Sequence, residues 1–243
     1  MKLIVAGGTG FVAVEVIRQA AQLDAITSLV VLARKAAPLP EGPGASKIKT
    51  VVIEDYERYS DEVKAEFAGA DACIWTVAVT PIKALSLDGA EVKRVCQTCT
   101  MAGLKAIWEA NPAKPFRFVY MSAEGLPADP NKKPYLMAEY MLMRAETERL
   151  VRDFAAQHAS EGFELCIAQP GLVTAEGVLW QTLRLFNAIP GLRSVAINIS
   201  RGELAAAMLE RTVDGFGSKQ EMKNAEMVRV GQAALQARRA RSG

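Results

Sequence analysis

The sequence predicts an α/β fold in which a doubly wound parallel sheet is followed by a small C-terminal region. Short runs rich in Val and Ile alternate with longer segments of helical period, and stretches rich in Pro and Gly separate them. The predicted strands are Leu3–Ala6, Ser28–Ala33, Lys49–Glu54, Ala72–Thr76, Phe116–Ser122 and Glu164–Ala168. The helices predicted between them are Phe11–Leu23, Ser60–Phe67, Ala90–Asn111 and Tyr135–Ala159.

The regular alternation ends after Gln169-Pro-Gly171. The elements predicted beyond it are a helix near Gly177–Ala188, a strand near Arg193–Ile197, a helix over Arg201–Val213 and a helix from Asn224 onward. Ligands of doubly wound sheets bind beyond the carboxyl ends of the strands, so we expect these late segments to cover that edge. Apolar side chains on the first of these helices suggest a pocket wall, although their spacing is also typical of a plain core: Trp180, Leu183, Phe186 and Ile189.

A glycine-rich loop, Gly7-Gly-Thr-Gly10-Phe-Val-Ala13, joins the first strand to the first helix. Glycine permits positive φ and close approach, so backbone N–H groups and the helix N-terminus can point at the pyrophosphate of a dinucleotide. The residues predicted to hold it are Gly7, Thr9, Gly10, Phe11 and Val12. The alternative is a tight structural turn. We predict one Rossmann-like NAD(P)-binding domain over residues 1–243, in which residues 170–243 form the substrate-pocket lobe.

Composition excludes several classes of function. The net charge of +2 is too small to indicate a nucleic-acid partner, and Arg238-Arg239-Ala-Arg241 is interpreted as a solvated tail. The apolar run at the N-terminus is too short for a signal sequence or a membrane span, so we expect a cytoplasmic protein without membrane contact. The four cysteines fit reduced thiols, and Cys96-Gln-Thr-Cys99 is interpreted as part of a core helix. With His158 expected at the surface, no metal site is predicted.

Charged residues at strand ends indicate which dinucleotide is bound. Arg34 and Lys35 follow the second strand, where an NAD site usually carries an acid, so they favour the 2′-phosphate of NADP(H). The alternative is an exposed basic turn. Asp55 and Tyr56 follow the third strand, where a carboxylate can accept from the adenine amino group. The other residues predicted to line the cofactor are Thr76, Val77, Ala78, Pro170, Gly171, Leu172 and Val173.

The predicted catalytic residues are Ser122, Tyr140 and Arg144. Tyr140 and Arg144 lie one helical turn apart, so the cation would favour the phenolate of a group whose ordinary pKa is about 10. Ser122 could then hydrogen-bond a substrate carbonyl while Tyr140 exchanges its proton. In the alternative, Tyr140 packs in the core and Arg144 pairs with Glu148.

Together these residues resemble the atypical short-chain dehydrogenase/reductases, in particular the NAD(P)-binding-domain or NmrA-like proteins common in fungi. The resemblance is carried by Gly7-x-x-Gly10-x-x-Ala13, Arg34, Asp55, Asp71-Ala-Cys-Ile-Trp-Thr76, Ser122, Tyr140-x-x-x-Arg144-Ala-Glu-Thr-Glu148 and Pro170-Gly171. It implies the fold and the cofactor more than the reaction. Family members usually have Lys where this chain has Arg144, and often a basic residue where it has Gln169. Arginine can hold ribose hydroxyls but cannot relay a proton by losing it.

Three functions follow from this resemblance. The first is an NADP(H)-dependent oxidoreductase of a small carbonyl or imine, with Tyr140 as proton donor and Ser122 orienting the substrate. The second is a non-redox isomerase or cyclase of a biosynthetic pathway, and the third is an NmrA-like NADP-binding regulator. The substrate is a small molecule of unidentified structure. Because the two long helices form a dimer face in related folds, a homodimer also remains open.

Overall fold

The computed structural model of the protein describes residues 1–129, 131, 133–175, 198–217 and 219–242. Its strands are β1 (Lys2–Ala6), β2 (Ser28–Ala33), β3 (Ile48–Val52), β4 (Ala72–Trp75), β5 (Phe116–Met121), β6 (Phe163–Gln169), β7 (Leu172–Thr174), β8 (Asn198–Ser200) and β9 (Glu221–Lys223). Seven of them form a parallel sheet in the order β3-β2-β1-β4-β5-β6-β9, whereas β7 and β8 pair with each other. The strand order reverses between β1 and β4, as in doubly wound sheets that bind a nucleotide at that crevice.

The predicted α/β fold is confirmed, and all six predicted strands are present with ends shifted by at most two residues. Strand β1 lies at the switch point, where Leu3 is in register with Leu29 of β2 and with Ala72 of β4. Strand β9 was not predicted. It has only three residues, of which Met222 alone is buried, so its sequence carries no periodic signal.

The helices are α1 (Phe11–Ala21), α2 (Asp61–Phe67), α3 (Pro81–Ala84), α4 (Gly89–Lys93), α5 (Cys99–Glu109), α6 (Ala138–His158), α7 (Arg201–Asp214) and α8 (Asn224–Ser242). The predicted helix over Ala90–Asn111 consists of α4, a π-helical segment at Arg94–Thr98 and α5. Helix α6 begins three residues later than predicted, because Met137 has a left-handed backbone (φ 51°) just before it. Helix α7 begins with a capping box between Ser200 and Glu203.

Two apolar clusters enclose the sheet. One face is covered by α1, α7 and α8, and side chains such as Leu3 and Val5 point into that layer. The other face is covered by α2, α5 and α6, and the alternate residues Ile4 and Ala6 point there. Because both faces of the central strands are buried, these strands are continuously apolar, as expected for a parallel sheet with helices on both sides.

The expectation about Arg238 needs correction, whereas that about His158 holds. Arg238 does not belong to a solvated tail, since its guanidinium donates to Gln19 Oε1 (2.7 Å) and Glu210 Oε2 (3.2 Å). His158 lies at the surface as expected, with its side chain 26% exposed, and its ring also packs on Phe154 with a centroid distance of 4.5 Å.

Other expectations fall on residues that the structure leaves undescribed. The predicted helix near Gly177–Ala188 and strand near Arg193–Ile197 lie there, together with the suggested pocket wall of Trp180, Leu183, Phe186 and Ile189. Among the helices that are described, none has both the length and the apolar character needed to span a membrane.

Candidate cofactor and active site

The glycine loop lies directly on the ends of β2 and β4. Gly7 has φ 91°, and its N–H and that of Gly8 both donate to Leu32 O at 3.0 Å. A Cβ on Gly7 would lie 2.6 Å from Thr76 Oγ1, and one on Gly8 would meet Val31 Cγ1. The loop therefore requires glycine both for its backbone conformation and for its close approach to two strands.

Helix α1 begins with its N-terminal N–H groups uncapped. Its N-cap is Gly10, which has no side chain to accept from them, and its first turn contains no acid. Gly10 N itself donates to Gly7 O at 2.7 Å, which closes the loop beneath the helix. A helix N-terminus with free donors and a positive dipole end favours an anion, so the loop fits the pyrophosphate of a dinucleotide.

Tyr56 lies under this loop rather than on its outer side. Its hydroxyl accepts from Gly7 N at 3.1 Å and donates to Leu32 O at 3.0 Å, and the side chain is buried. Burial raises the pKa of Tyr56 to about 12, against the opposing effects of the Gly7 N–H and the charge of Arg34. Tyr56, predicted to line the cofactor, is thus placed where it supports the loop from below.

Asp55 is paired with a residue that the sequence reasoning did not single out. Arg94, the first residue of the π-helical segment, contacts Asp55 Oδ2 at 2.9 Å and Glu57 Oε1 at 2.7 Å, and its Nε contacts Glu91 at 2.6 Å. Burial opposes ionisation of Asp55, but the N–H of Glu57 and the charge of Arg94 outweigh it and lower its pKa. The carboxylate predicted to meet the adenine is therefore held by an arginine.

Oxygen and sulfur atoms of Asp55, Glu57 and Cys99 also lie within 4.8 Å of one another. Because Arg94 binds both carboxylates and burial raises the pKa of the Cys99 thiol to about 12, this group does not fit a metal site.

The segments after β2 and β4 flank the loop. Arg34 and Lys35 are both exposed immediately after β2. Thr76 donates to Ala6 O through its N–H (3.1 Å) and its hydroxyl (2.7 Å), which fixes the start of the segment that continues through Val77 and Ala78. After β6, Pro170 is buried, and the residues that follow are fixed by Gly171 N, which donates to Asn224 Oδ1 at 2.8 Å. Strand β7, with Leu172 and Val173, then pairs with β8.

Tyr140 and Arg144 approach the ends of β4 and β5. The Tyr140 hydroxyl donates to Val79 O at 2.8 Å, and Arg144 Nη2 donates to Met121 O at 2.9 Å, one residue before Ser122. Arg144 is only 3% exposed, and its guanidinium carbon lies 5.7 Å from the centre of the Tyr120 ring. The alternative pairing of Arg144 with Glu148 is not found, because Glu148 pairs with Arg152 instead (2.8 Å).

Two opposing effects act on the pKa of Tyr140. Burial raises its pKa, and the neighbouring charge of Arg144 opposes this without reversing it. The effect expected of Arg144 therefore has the right sign, but the phenol keeps its proton at neutral pH.

Ser122 belongs to a buried polar network. Its hydroxyl donates to Glu148 Oε2 at 2.7 Å, and Gln169 Nε2 donates to the two oxygens of the same carboxylate at 3.1 and 3.0 Å. Burial opposes ionisation of Glu148, but these donors and Arg152 lower its pKa. Since the serine proton points to Glu148, Ser122 offers a ligand its lone pairs in this arrangement. The role of Glu148 was missed, although Glu148 lies in the quoted helical motif.

Comparisons with known proteins agree with this architecture. No family model matches the chain. Leucinostatins biosynthesis cluster protein T of Purpureocillium lilacinum is 33% identical over 122 residues, which make up 50% of this chain and 43% of that protein. The match thus spans less than half the length of this curated relative.

Among solved structures, the PhqB reductase domain from Penicillium fellutanum superposes with a TM-score of 0.66 at 18% identity, over 93% of this chain and 68% of that one. MoeE5, in complex with UDP-glucuronic acid and NAD, gives a TM-score of 0.65 at 16% identity, over 91% of this chain and 75% of its own. At these identities the likeness concerns the fold. The chain therefore has the Rossmann-like, doubly wound fold of these proteins.

Proposed function

We propose that this chain binds NADP(H) and is an oxidoreductase of the short-chain dehydrogenase/reductase type that acts on a small carbonyl or imine. The observation that carries the proposal is the uncapped N-terminus of α1 above a loop in which Gly7 has no room for a side chain. This arrangement supplies free N–H donors and close backbone approach, which are what a dinucleotide pyrophosphate needs. The bound cofactor would supply the hydride.

NADP(H) rather than NAD(H) is supported by charge. Arg34 and Lys35 are exposed at the end of β2, beside the crevice where the ribose of the adenosine half would lie. Two cations there attract a 2′-phosphate, and Arg34 can bind it through two parallel N–H groups.

Tyr140 is the proposed proton donor because its phenol remains protonated and lies against the segment that follows β4. Arg144 would place a positive charge near the nicotinamide ribose. It would take no part in proton transfer, because its guanidinium does not lose a proton. Ser122 would orient the substrate oxygen or nitrogen by turning its hydroxyl proton from Glu148, which accepts it in this structure, to that atom.

The test is calorimetric titration with NADPH and NADH, followed by a panel of small carbonyl and imine compounds with absorbance of the reduced nicotinamide as the signal. We expect tighter binding of NADPH, and turnover that Tyr140→Phe abolishes. Tyr135→Phe is the matched control, because Tyr135 is fully exposed just before α6. An unchanged rate in Tyr140→Phe, or no NADPH binding, contradicts the proposal.

A second candidate, a non-redox isomerase or cyclase, is favoured by the hydrogen bonds of the site. The protons of Tyr140 and Ser122 are both directed to protein acceptors, and Arg144 replaces a lysine that could relay a proton. NADPH deuterated at the transferred hydride distinguishes the two: deuterium in the product supports the reductase, whereas product without deuterium and without NADPH consumption supports the isomerase. The name of the leucinostatin-cluster relative supports a biosynthetic role under either candidate.

A further inference from the structure

Arg201 brings a positive charge from the late part of the chain to the start of α1. It is the first residue of α7, and its guanidinium carbon lies 5.2 Å from the centre of the Phe11 ring. Phe11 is the first residue of α1, directly after the glycine loop. The backbone at Arg201 is fixed by the capping box, in which Ser200 and Glu203 exchange hydrogen bonds of 3.1 and 2.9 Å.

The charge of Arg201 is not balanced by an ion pair among the described residues. The nearby acid Glu15 is hydrogen-bonded to Arg18 at 2.6 Å and to Gln19 at 2.7 Å, and the charge of Arg201 also helps to lower its pKa. Within the same part of the chain, Arg201 Nε is enclosed and has no hydrogen-bond partner. Two positive features, a guanidinium and a helix N-terminus, therefore lie side by side. Glu15 offsets part of their charge, and both can bind a further anion.

We propose that Arg201 is a ligand of the diphosphate group of the dinucleotide, and closes over it from the side opposite the glycine loop. This inference rests on the proposed dinucleotide binding. The loop and α1 offer backbone donors to one side of a diphosphate, and a guanidinium offers a planar fork to the other. Stacking on Phe11 keeps the fork beside the helix N-terminus at little entropic cost.

The proposal predicts a selective defect. Arg201 would recognise the diphosphate and neither the nicotinamide nor the 2′-phosphate. Its loss should weaken NADPH, NADH and ADP-ribose alike, and leave 2′-AMP, which has no diphosphate, unaffected. Replacing Arg34 and Lys35, in contrast, should weaken the binding only of ligands that carry the 2′-phosphate.

The experiment measures binding of these four compounds to wild type, Arg201→Gln and Arg201→Lys by calorimetry, with ligand-observed NMR for weak binding. Arg229→Gln is the matched control, because Arg229 is an exposed arginine of α8. We expect Arg201→Gln to lose about tenfold or more in affinity for the three diphosphates. Arg201→Lys should lose less affinity, because lysine keeps the positive charge and lacks only the two parallel N–H donors of the guanidinium. Neither variant should change 2′-AMP binding, and Arg229→Gln should bind all four normally.

The outcomes separate this inference from the proposed function. Wild-type protein that binds no dinucleotide contradicts both. Wild-type protein that binds NADPH, with Arg201→Gln equal to it for ADP-ribose, overturns the role of Arg201 alone. If Arg201→Gln does not fold, Arg201→Lys decides: an ADP-ribose affinity equal to wild type overturns the inference, and a loss confined to the diphosphates supports it.

Discussion

Lys223 donates a hydrogen bond of 2.5 Å to Gln169 Oε1 across the neighbouring strands β9 and β6, where the two residues are in register. The Gln169 amide in turn donates to Glu148, which also accepts from Ser122. The resemblance to short-chain dehydrogenase/reductases leads one to expect a basic residue before Pro170, and here a cation reaches that position from the adjacent strand. Lys223 thus joins this hydrogen-bond network through Gln169, and the carboxylate of Glu148 lies at its centre.

Glu148→Gln should destabilise the protein. The Glu148 side chain is only 12% exposed, and its carboxylate accepts hydrogen bonds from Ser122, Gln169 and Arg152. An amide has one acceptor oxygen and places an NH₂ group against donors, so we expect a loss of about 2 to 4 kcal/mol in the free energy of unfolding. Urea denaturation measures it. Glu146→Gln is the control on the same helix, because Glu146 is exposed and pairs with Arg149. If both variants lowered the free energy of unfolding equally, the hydrogen bonds of Glu148 would not be the cause of the loss.

The same carboxylate should make stability depend on pH. The pKa of Glu148 is lowered in the folded protein, against burial, by its hydrogen-bond donors. Its stabilising contribution is therefore complete above its unfolded pKa of about 4.3, and is lost as the pH falls through the lower folded value. The difference in unfolding free energy between wild type and Glu148→Gln should shrink as the pH falls below about 4. A difference that stays constant down to pH 3 would show that Glu148 does not titrate as expected.

Gly7→Ala should damage both the fold and cofactor binding. Gly7 has φ 91°, and a Cβ there would lie 2.6 Å from Thr76 Oγ1. Backbone strain and steric overlap together should cost about 2 to 4 kcal/mol and displace the loop. Gly69→Ala separates the two causes, since Gly69 has φ 67° and open space around the added carbon. We expect Gly69→Ala to cost about 1 kcal/mol and leave NADPH affinity unchanged. Thermal unfolding and NADPH titration of both variants test this.

The sequence predicts the sheet well because its central strands are buried on both faces and therefore uniformly apolar. It does not reveal β9, whose three residues include one buried side chain, Met222. Within the site, the glycine loop is predictable because its conformation requires glycine. The pairing of Arg94 with Asp55 is not, because the two residues lie 39 positions apart and only tertiary packing brings them together. Arg152 and Glu148, in contrast, lie four residues apart on one helix, where such a pair is expected.

Arg34 and Lys35 should determine the preference for NADPH over NADH. Both are exposed after β2, so replacing them with Gln removes two charges without disturbing the core. We expect the double variant to lose about tenfold or more in NADPH affinity and little in NADH affinity. Because the attraction is between exposed charges, the preference of the wild type for NADPH should also fall as salt is raised.

The control for this double variant is Arg58→Gln, which removes one exposed charge beyond β3. Calorimetric titrations with both dinucleotides, at low and high ionic strength, give the four affinities that the comparison needs. If the double variant binds NADPH and NADH in the same ratio as the wild type, the two cations form an exposed basic turn and the cofactor preference arises elsewhere. A loss for NADPH alone, diminished at high salt, identifies them as the 2′-phosphate site.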